Sequence, residues 1–340
     1  MNLRKTAKLI FAALVAALLA TAAQAESVED FYKGRTVTMI IGYTVGGGYD
    51  LYARTLAAHM SKHIPGNPTI VPQNMPGAGS LKAVKYLYSV AAKDGSVFGT
   101  FGRSEALQPL VAGADFDAIK LTWLGSMTDE SSLCVSRKGS AVTNWNDLLT
   151  KPSKFGGLGP GADPDVFALA INNLFGAKID LIRGFPGTSE AALAMERGEL
   201  DGICGISYDT LLTRHPTWIG DKQVNLIFQA STRKLTELPD VPFLSDLATT
   251  AKQRQVIKLL VAGQGMARPF AAPPGIPAER KAALRAAFEA TLRDPDFLAQ
   301  AKTAKLEINP VSGAQIDAML AEIYATPKDI VAEAAATMAK

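Results

Sequence analysis

The sequence predicts an α/β protein of two lobes, each a mostly parallel sheet flanked by helices, and three observations predict it. Short apolar, β-branched runs alternate with stretches whose apolar residues recur at helical spacing. That alternation begins near Val37 and starts afresh near Leu133 with its own set of elements. Glycine-rich turns stand between strand and helix in both halves, and in parallel sheets such turns collect at the strand ends, where open α/β folds bind their ligands.

Residues 1–25 read as a targeting segment. Arg4, Lys5 and Lys8 precede an apolar run from Leu9 to Ala22, too short to span a bilayer, and Ala23-Gln24-Ala25 is a small-x-small cleavage site. Cleavage after Ala25 is expected to release an exported chain beginning at Glu26. Taking those three basic residues from the 35 Lys and Arg leaves them equal to the 32 Asp and Glu. A balanced charge with no basic stripe argues against nucleic acid and anionic membranes as partners.

The first strand runs over Val37 to Ile41 and ends in Gly42-Tyr43-Thr44-Val45-Gly46-Gly47-Gly48-Tyr49-Asp50. Ala53, Leu56, Ala57, Met60 and Ile64 then mark one buried face of a helix. The glycines leave the first helical N–H groups uncovered, which suits an anion. A Walker loop needs Gly-Lys-Ser/Thr, and a dinucleotide fingerprint needs a third glycine three residues after the second. Gly48 is followed by Tyr49, Asp50 and Leu51, so both templates fail.

The unit repeats. Thr69 to Gln73 is a strand, Asn74 to Gly79 a loop, and Ser80 the expected N-cap of a helix reaching Ala91. Val97 to Phe101 is a third strand, emptying into Gly102-Arg103-Ser104. Strands follow at 133–136, 154–158, 179–183, 202–206 and 224–228, with helices near 144–149, 165–175, 189–197 and 209–214. Two glycine-rich turns lie among them, Gly159-Pro160-Gly161-Ala162-Asp163 and Gly184 to Thr188. The last portion is expected to hold a helix to Leu260, a strand-like Val261–Met266, a proline-rich loop over Pro269 to Pro277, and helices to the terminus. It completes the first lobe, which makes lobe 1 discontinuous (26–130 and 231–340) around lobe 2 (131–230).

Val45 to Asp50, Gln73 to Ser80, Lys93-Asp94-Gly95, the run from Gly187 ending in Gly198-Glu199-Leu200-Asp201, and Leu238-Pro239-Asp240-Val241-Pro242 occur in a telling order and spacing. Through them the chain from Glu26 to Lys340 resembles the periplasmic solute receptors of tripartite tricarboxylate transporters, the TctC or Bug-like proteins. The resemblance implies a type II, Venus flytrap-like binding protein, monomeric and periplasmic, that closes on a small organic acid and hands it to membrane transporter subunits. It implies no cofactor. The alternatives are a ligand-sensing subunit of a signalling system and a periplasmic enzyme acting on a small acid.

Two departures from the family pattern concern the loops. Val45-Gly46-Gly47 stands where the family usually has Pro-Gly-Gly, with the preceding aromatic at Tyr43. Leu158 and Ala162 replace small hydroxyl residues in the second lobe, and Asp163 adds a negative charge. The expected ligand-binding residues are Tyr43, Gly46, Gly47, Gly48, Tyr49, Ser80, Arg103 and Ser104 from lobe 1, and Gly161, Ala162, Asp163, Gly187 and Thr188 from lobe 2. Charge-assisted hydrogen bonds contribute about 1.5 to 3 kcal/mol each and a micromolar complex needs about 8 kcal/mol, so a few well-aimed donors suffice. Arg103 either forks onto a second carboxylate, stacks on an aromatic acid or is solvated.

Other constellations are poor candidates. His59 and His63 share a helix face but lack the Glu of a zinc hydrolase between them, so no metal site is expected. No nucleophile elbow or Cys-His pairing is evident, so no catalytic residue is assigned and a non-enzyme is expected. Cys134 and Cys204 lie in strand-like runs; adjacent strands would let them pair, but two buried thiols packing as small hydrophobes are the preferred reading.

Overall fold

The computed structural model describes residues 26–339, so the expected targeting segment lies outside the described residues. After a short helix α1 (Val28–Tyr32), the chain forms β1 (Thr36–Ile41), α2 (Gly48–Met60), β2 (Thr69–Asn74), α3 (Leu81–Ser89), β3 (Val97–Thr100), α4 (Gln108–Val111) and β4 (Thr122–Ser126). It crosses to β5 (Ser132–Arg137), α5 (Trp145–Thr150), β6 (Ser153–Gly156), α6 (Asp163–Phe175), β7 (Ile179–Ile182) and α7 (Thr188–Glu196). There follow β8 (Gly202–Ser207), α8 (Tyr208–Arg214), α9 (Pro216–Gly220) and β9 (Val224–Ala230). The return leg carries α10 (Ala251–Val261), β10 (Pro269–Ala272), α11 (Ala278–Thr291), α12 (Pro295–Thr303), β11 (Val311–Ser312), α13 (Gly313–Tyr324) and α14 (Lys328–Met338).

Two mixed sheets result, ordered β11-β4-β10-β3-β1-β2 and β7-β6-β8-β5-β9. In the first, β1 pairs in parallel with both β2 and β3, while β10 and β11 run antiparallel to their neighbours. In the second, β6 pairs in parallel with β7 and β8, while β5 is antiparallel to β8 and β9. The first strand after each crossing, β5 and then β10, enters its sheet against the parallel set. Val37, Met39, Ile40 and Ile41 of β1 are all buried, the near-continuous apolar pattern of a strand covered on both faces.

Three local readings are corrected. Val261–Met266 is not a strand: Ala262–Met266 forms a 3₁₀ turn, and the strand comes next, in the proline-rich segment read as a loop. Pro269 is tolerated because it is the first residue of β10, where an N–H is least needed. Strand β4 is outside the expected set; it contains Gly125 at φ +154°, where a Cβ would stand 2.5 Å from the Phe288 ring and 2.9 Å from the Val311 carbonyl. Ser80 does not cap α3, because it adopts a left-handed conformation (φ 93°) that turns its hydroxyl away from the helix. That hydroxyl instead accepts from Gly102 N–H at 2.7 Å.

Cys134 and Cys204 form a disulfide, against the preference for free thiols. The antiparallel β5–β8 pair, with its register shift between Leu133 and Val135, sets the two residues side by side inside a buried core.

The lobes share apolar contact away from the strand ends. Ile330 and Ala334 of α14 lie in one cluster with Val111 of α4 and with Phe167 and Ile171 of α6. The Asn173 side chain donates to the Thr337 carbonyl at 2.7 Å. The C-terminal helix thus ties the second sheet's main helix to the first lobe.

Candidate functional site

A cavity of about 40 Å³ lies between the two sheets, at the ends of β1, β3, β6 and β8. Its wall is backbone. Gly47 caps α2 and Gly187 caps α7 in extended conformations, and neither helix start is covered by a capping side chain. Gly48 and Thr188 line the cavity with them, so two helix N-termini face the same space and bring partial positive charge to it. Two of these glycines are in close approach: a Cβ on Gly48 would stand 2.6 Å from the Thr210 hydroxyl and 3.3 Å from the Arg268 guanidinium, and one on Gly187 would stand 2.7 Å from the Thr44 hydroxyl. At Gly47 the nearest atoms would be 3.7 Å away, an ordinary contact.

Tyr43 and Tyr49 stack on each other, ring centroids 4.5 Å apart, and both line the cavity. The Tyr49 hydroxyl accepts from Arg103 N–H at 3.1 Å and the Tyr43 hydroxyl donates to the Gly79 carbonyl at 3.2 Å. Burial pushes both phenol pKa values up.

The floor is charged. Arg103, only 3% exposed, points its Nε at Asp163 Oδ2 (2.6 Å), its Nη1 at Glu130 and its Nη2 at the Ser132 hydroxyl (2.7 Å). Arg268 meets the other Glu130 oxygen at 2.8 Å and lies over the rings of Tyr49 (4.6 Å) and Tyr52 (4.9 Å). Ser207 donates to Glu130 as well. Burial opposes the charge on Arg103, but Asp163 and Glu130 outweigh it and hold its pKa above the ordinary arginine value; Glu130 does the same for Arg268. A solvated Arg103 is therefore excluded. The 3₁₀ turn Arg103–Leu107 is set in place by Gly263, whose Cα passes so near the Arg103 carbonyl that a Cβ would stand 2.9 Å from it.

The expected residues divide into two groups. Tyr43, Gly47, Gly48, Tyr49, Arg103, Asp163, Gly187 and Thr188 come together around the cavity. Gly46, Ser80, Ser104, Gly161 and Ala162 do not line it. The Gly46 N–H is used within its own loop, donating to Asp50 at 2.9 Å. Ser104 donates to Asp163 from behind the cavity, and Ser80 lies buried beside Glu105. Gly161 and Ala162 form a seam between lobes: a Cβ on Gly161 would stand 2.8 Å from Glu105, and one on Gly79 would stand 2.9 Å from Ala162. Burial there pushes the Glu105 carboxyl well above the usual range.

Sequence reasoning missed Thr44, Leu158, Pro164, Gly205, Ser207, Thr210 and Arg268 among the residues lining the cavity, and Glu130 beneath it. Some signals were present. Arg268 is a lone charge in Gly265-Met266-Ala267-Arg268-Pro269-Phe270, and Ser207 precedes a helix as an N-cap, accepting from Thr210 N–H at 3.0 Å. Asp165 was also overlooked. It accepts from Leu158 and Gly159 N–H at 2.7 and 2.9 Å and pairs with Arg183, fixing the loop that carries Leu158.

His59 and His63 diverge: His59 bonds Gln300 at 2.6 Å and His63 bonds Asp294 at 2.7 Å. Among the described residues no three His, Cys, Asp or Glu side chains group to hold a metal, and no helix is long and apolar enough to cross a membrane.

No protein-family model matches the chain. It is 25% identical over 310 residues to a UPF0065 protein in the gbd 5' region of Cupriavidus necator, covering 88% of this chain and 86% of that one. It is 26% identical over 251 residues to a UPF0065 protein in the TAR-I ttuE-ttuC' intergenic region of Agrobacterium vitis, covering 68% and 66%. Among solved structures it resembles the periplasmic binding protein BugD (TM-score 0.71, 19% identity, 89% of this chain and 98% of that one). MatC from Rhodopseudomonas palustris, with bound malate, gives 0.68 at 21% identity over 87% and 99%. R. palustris Rpa4515, with adipate, gives 0.66 at 18% over 89% and 97%. The neighbours are thus binding proteins of the Bug and TctC type, in keeping with the resemblance carried by the sequence motifs, and the chain has their two-lobed periplasmic binding protein fold.

Proposed function

We propose that this chain is a periplasmic solute receptor, not an enzyme, that captures a small organic acid between its lobes and delivers it to a tripartite tricarboxylate-type membrane transporter. In this reading residues 26–130 and 231–340 form lobe 1, residues 131–230 form lobe 2, and the monomer acts after loss of residues 1–25. The observation that carries it is the convergence of two uncapped helix starts and two buried guanidinium groups on one interlobe cavity. Backbone N–H groups and helix dipoles favour an anion without demanding a particular carbon skeleton. Malate in MatC and adipate in Rpa4515 support the ligand class.

Tyr43, Gly47, Gly48, Tyr49 and Arg103 would hold the acid from lobe 1, and Gly187 and Thr188 would close on it. A thermal-shift screen of mono- and dicarboxylates tests the reading: at least one acid should raise the melting temperature. Hits only among sugars or cations would reject it, as would consumption of any acid by the purified protein.

A further inference from the structure

The Asp163 carboxylate is bound as a ligand's would be. It extends from the first turn of α6, in the lobe of the second sheet, and is 8% exposed. Its Oδ2 receives Arg103 Nε at 2.6 Å and Gln264 Nε2 at 2.9 Å, with the Ser132 hydroxyl at 3.3 Å. Its Oδ1 receives the Ser104 hydroxyl. Arg103, Ser104 and Gln264 all belong to 3₁₀ turns of the first sheet's lobe. One lobe therefore presents a guanidinium, a hydroxyl and an amide, and the other lobe fills that set of donors with its own acid.

The space beside this clasp is small, a cavity of about 40 Å³ against the ~10–15 Å³ that a single water needs. Arg103 already carries two carboxylates, Asp163 and Glu130. A third anion at the same buried guanidinium would put like charges together, which is unfavourable.

We propose that Asp163 is the specificity-determining residue of the cleft: in the acid-free protein it occupies the position that a ligand carboxylate takes, and binding exchanges one carboxylate for the other. This rests on the carboxylate reading above. A ligand is then accepted only if its acid group replaces Asp163 at Arg103 and the displaced Asp163 finds water or a partner as the lobes part. Apparent affinity is reduced by the fraction of protein held in the clasp, so releasing the clasp tightens binding.

The test compares wild type with D163S and the isosteric D163N, using small-angle scattering of acid-free protein and calorimetric titration with malate, adipate and benzoate. D163S should scatter with a larger radius of gyration, contract on saturation with an acid, and bind that acid about tenfold more tightly or better. D163N should move both quantities in the same direction, and it serves alone if D163S does not fold. Identical scattering in all three proteins overturns the proposal, and so does weaker acid binding by both variants. If D163S opens but no acid binds any of the three, the exchange is overturned together with the carboxylate reading, and the clasp remains as a purely structural contact.

Discussion

The wall and the floor of the cleft are built on opposite principles. The wall, Tyr43 to Tyr49 with Gly187 and Thr188, is made of short continuous segments that leave a strand and start a helix, and it offers backbone. The floor, Arg103, Glu130, Asp163, Ser207 and Arg268, draws one side chain from each of several distant segments and offers formal charge. A backbone wall tolerates side-chain change so long as the glycines stay, because its donors belong to the main chain. A buried charge network does not: paired it is close to neutral in energy, and with one partner gone it leaves the others desolvated and unmatched. In the proposed receptor the wall therefore offers an acid its backbone donors, while the floor both holds the lobes together and, through Asp163, sets which acid is accepted.

The sharpest break between the two comes at Glu130, which pairs with both guanidinium groups. E130A should lower unfolding free energy by about 3–5 kcal/mol, read from urea denaturation, because two buried cations lose their shared anion. A loss under 1 kcal/mol would mean that water reaches the floor. Next in size is G48V on the wall. Overpacking against Thr210 and Arg268 should cost about 1–3 kcal/mol and abolish acid binding in calorimetry, whereas G47A should leave the fold intact. Equal damage from the two would deny that Gly48 is the point of closest approach.

A third prediction uses pH, through Asp209, a buried carboxyl near Glu130, Arg268 and Tyr52. Burial, and then the charge of Glu130, push the Asp209 carboxyl up to about 7, against opposing effects of Arg268, Tyr52 and the Glu307 N–H. The folded state then binds the proton more tightly than the unfolded chain. Its contribution to stability is complete below about pH 4 and is lost as pH rises through about 7, with a slope of at most about 1.4 kcal/mol per pH unit. D209N should flatten that decline and be the more stable protein at pH 8. Glu105 is shifted in the same direction by its own burial, so part of the slope should survive the substitution. The smallest effect is expected at Thr44, whose hydroxyl meets Glu190 across the cleft mouth at 3.3 Å; T44V should cost about 0.5–1 kcal/mol.

The wall was legible because its determinants are local. A strand, a glycine cluster and a helical repeat lie within Val37 to Ile64, and the same grammar recurs before Thr188, so periodicity and turn chemistry suffice to place them. The floor was mostly illegible. Arg103 and Asp163 were picked out only for lying in glycine-rich loops, and nothing in either loop says that they meet at 2.6 Å. Glu130 and Arg268 lie 138 residues apart and are joined only because the chain crosses between the sheets and returns. The misassigned segment from Val261 to Ala272 has the same origin, since β10 lies between β3 and β4 and is held by neighbours distant in sequence.

By itself the sequence determined the two-lobe α/β architecture, most of the order of its elements and the glycine-rich helix starts, because hydrophobic period and backbone freedom act over a few residues. The tertiary structure decided which charges are paired, that Cys134 joins Cys204, and that the lobes close on Asp163. Those outcomes depend on which long-range neighbours desolvate a group and which compensate it, and that balance exists only once the chain has folded.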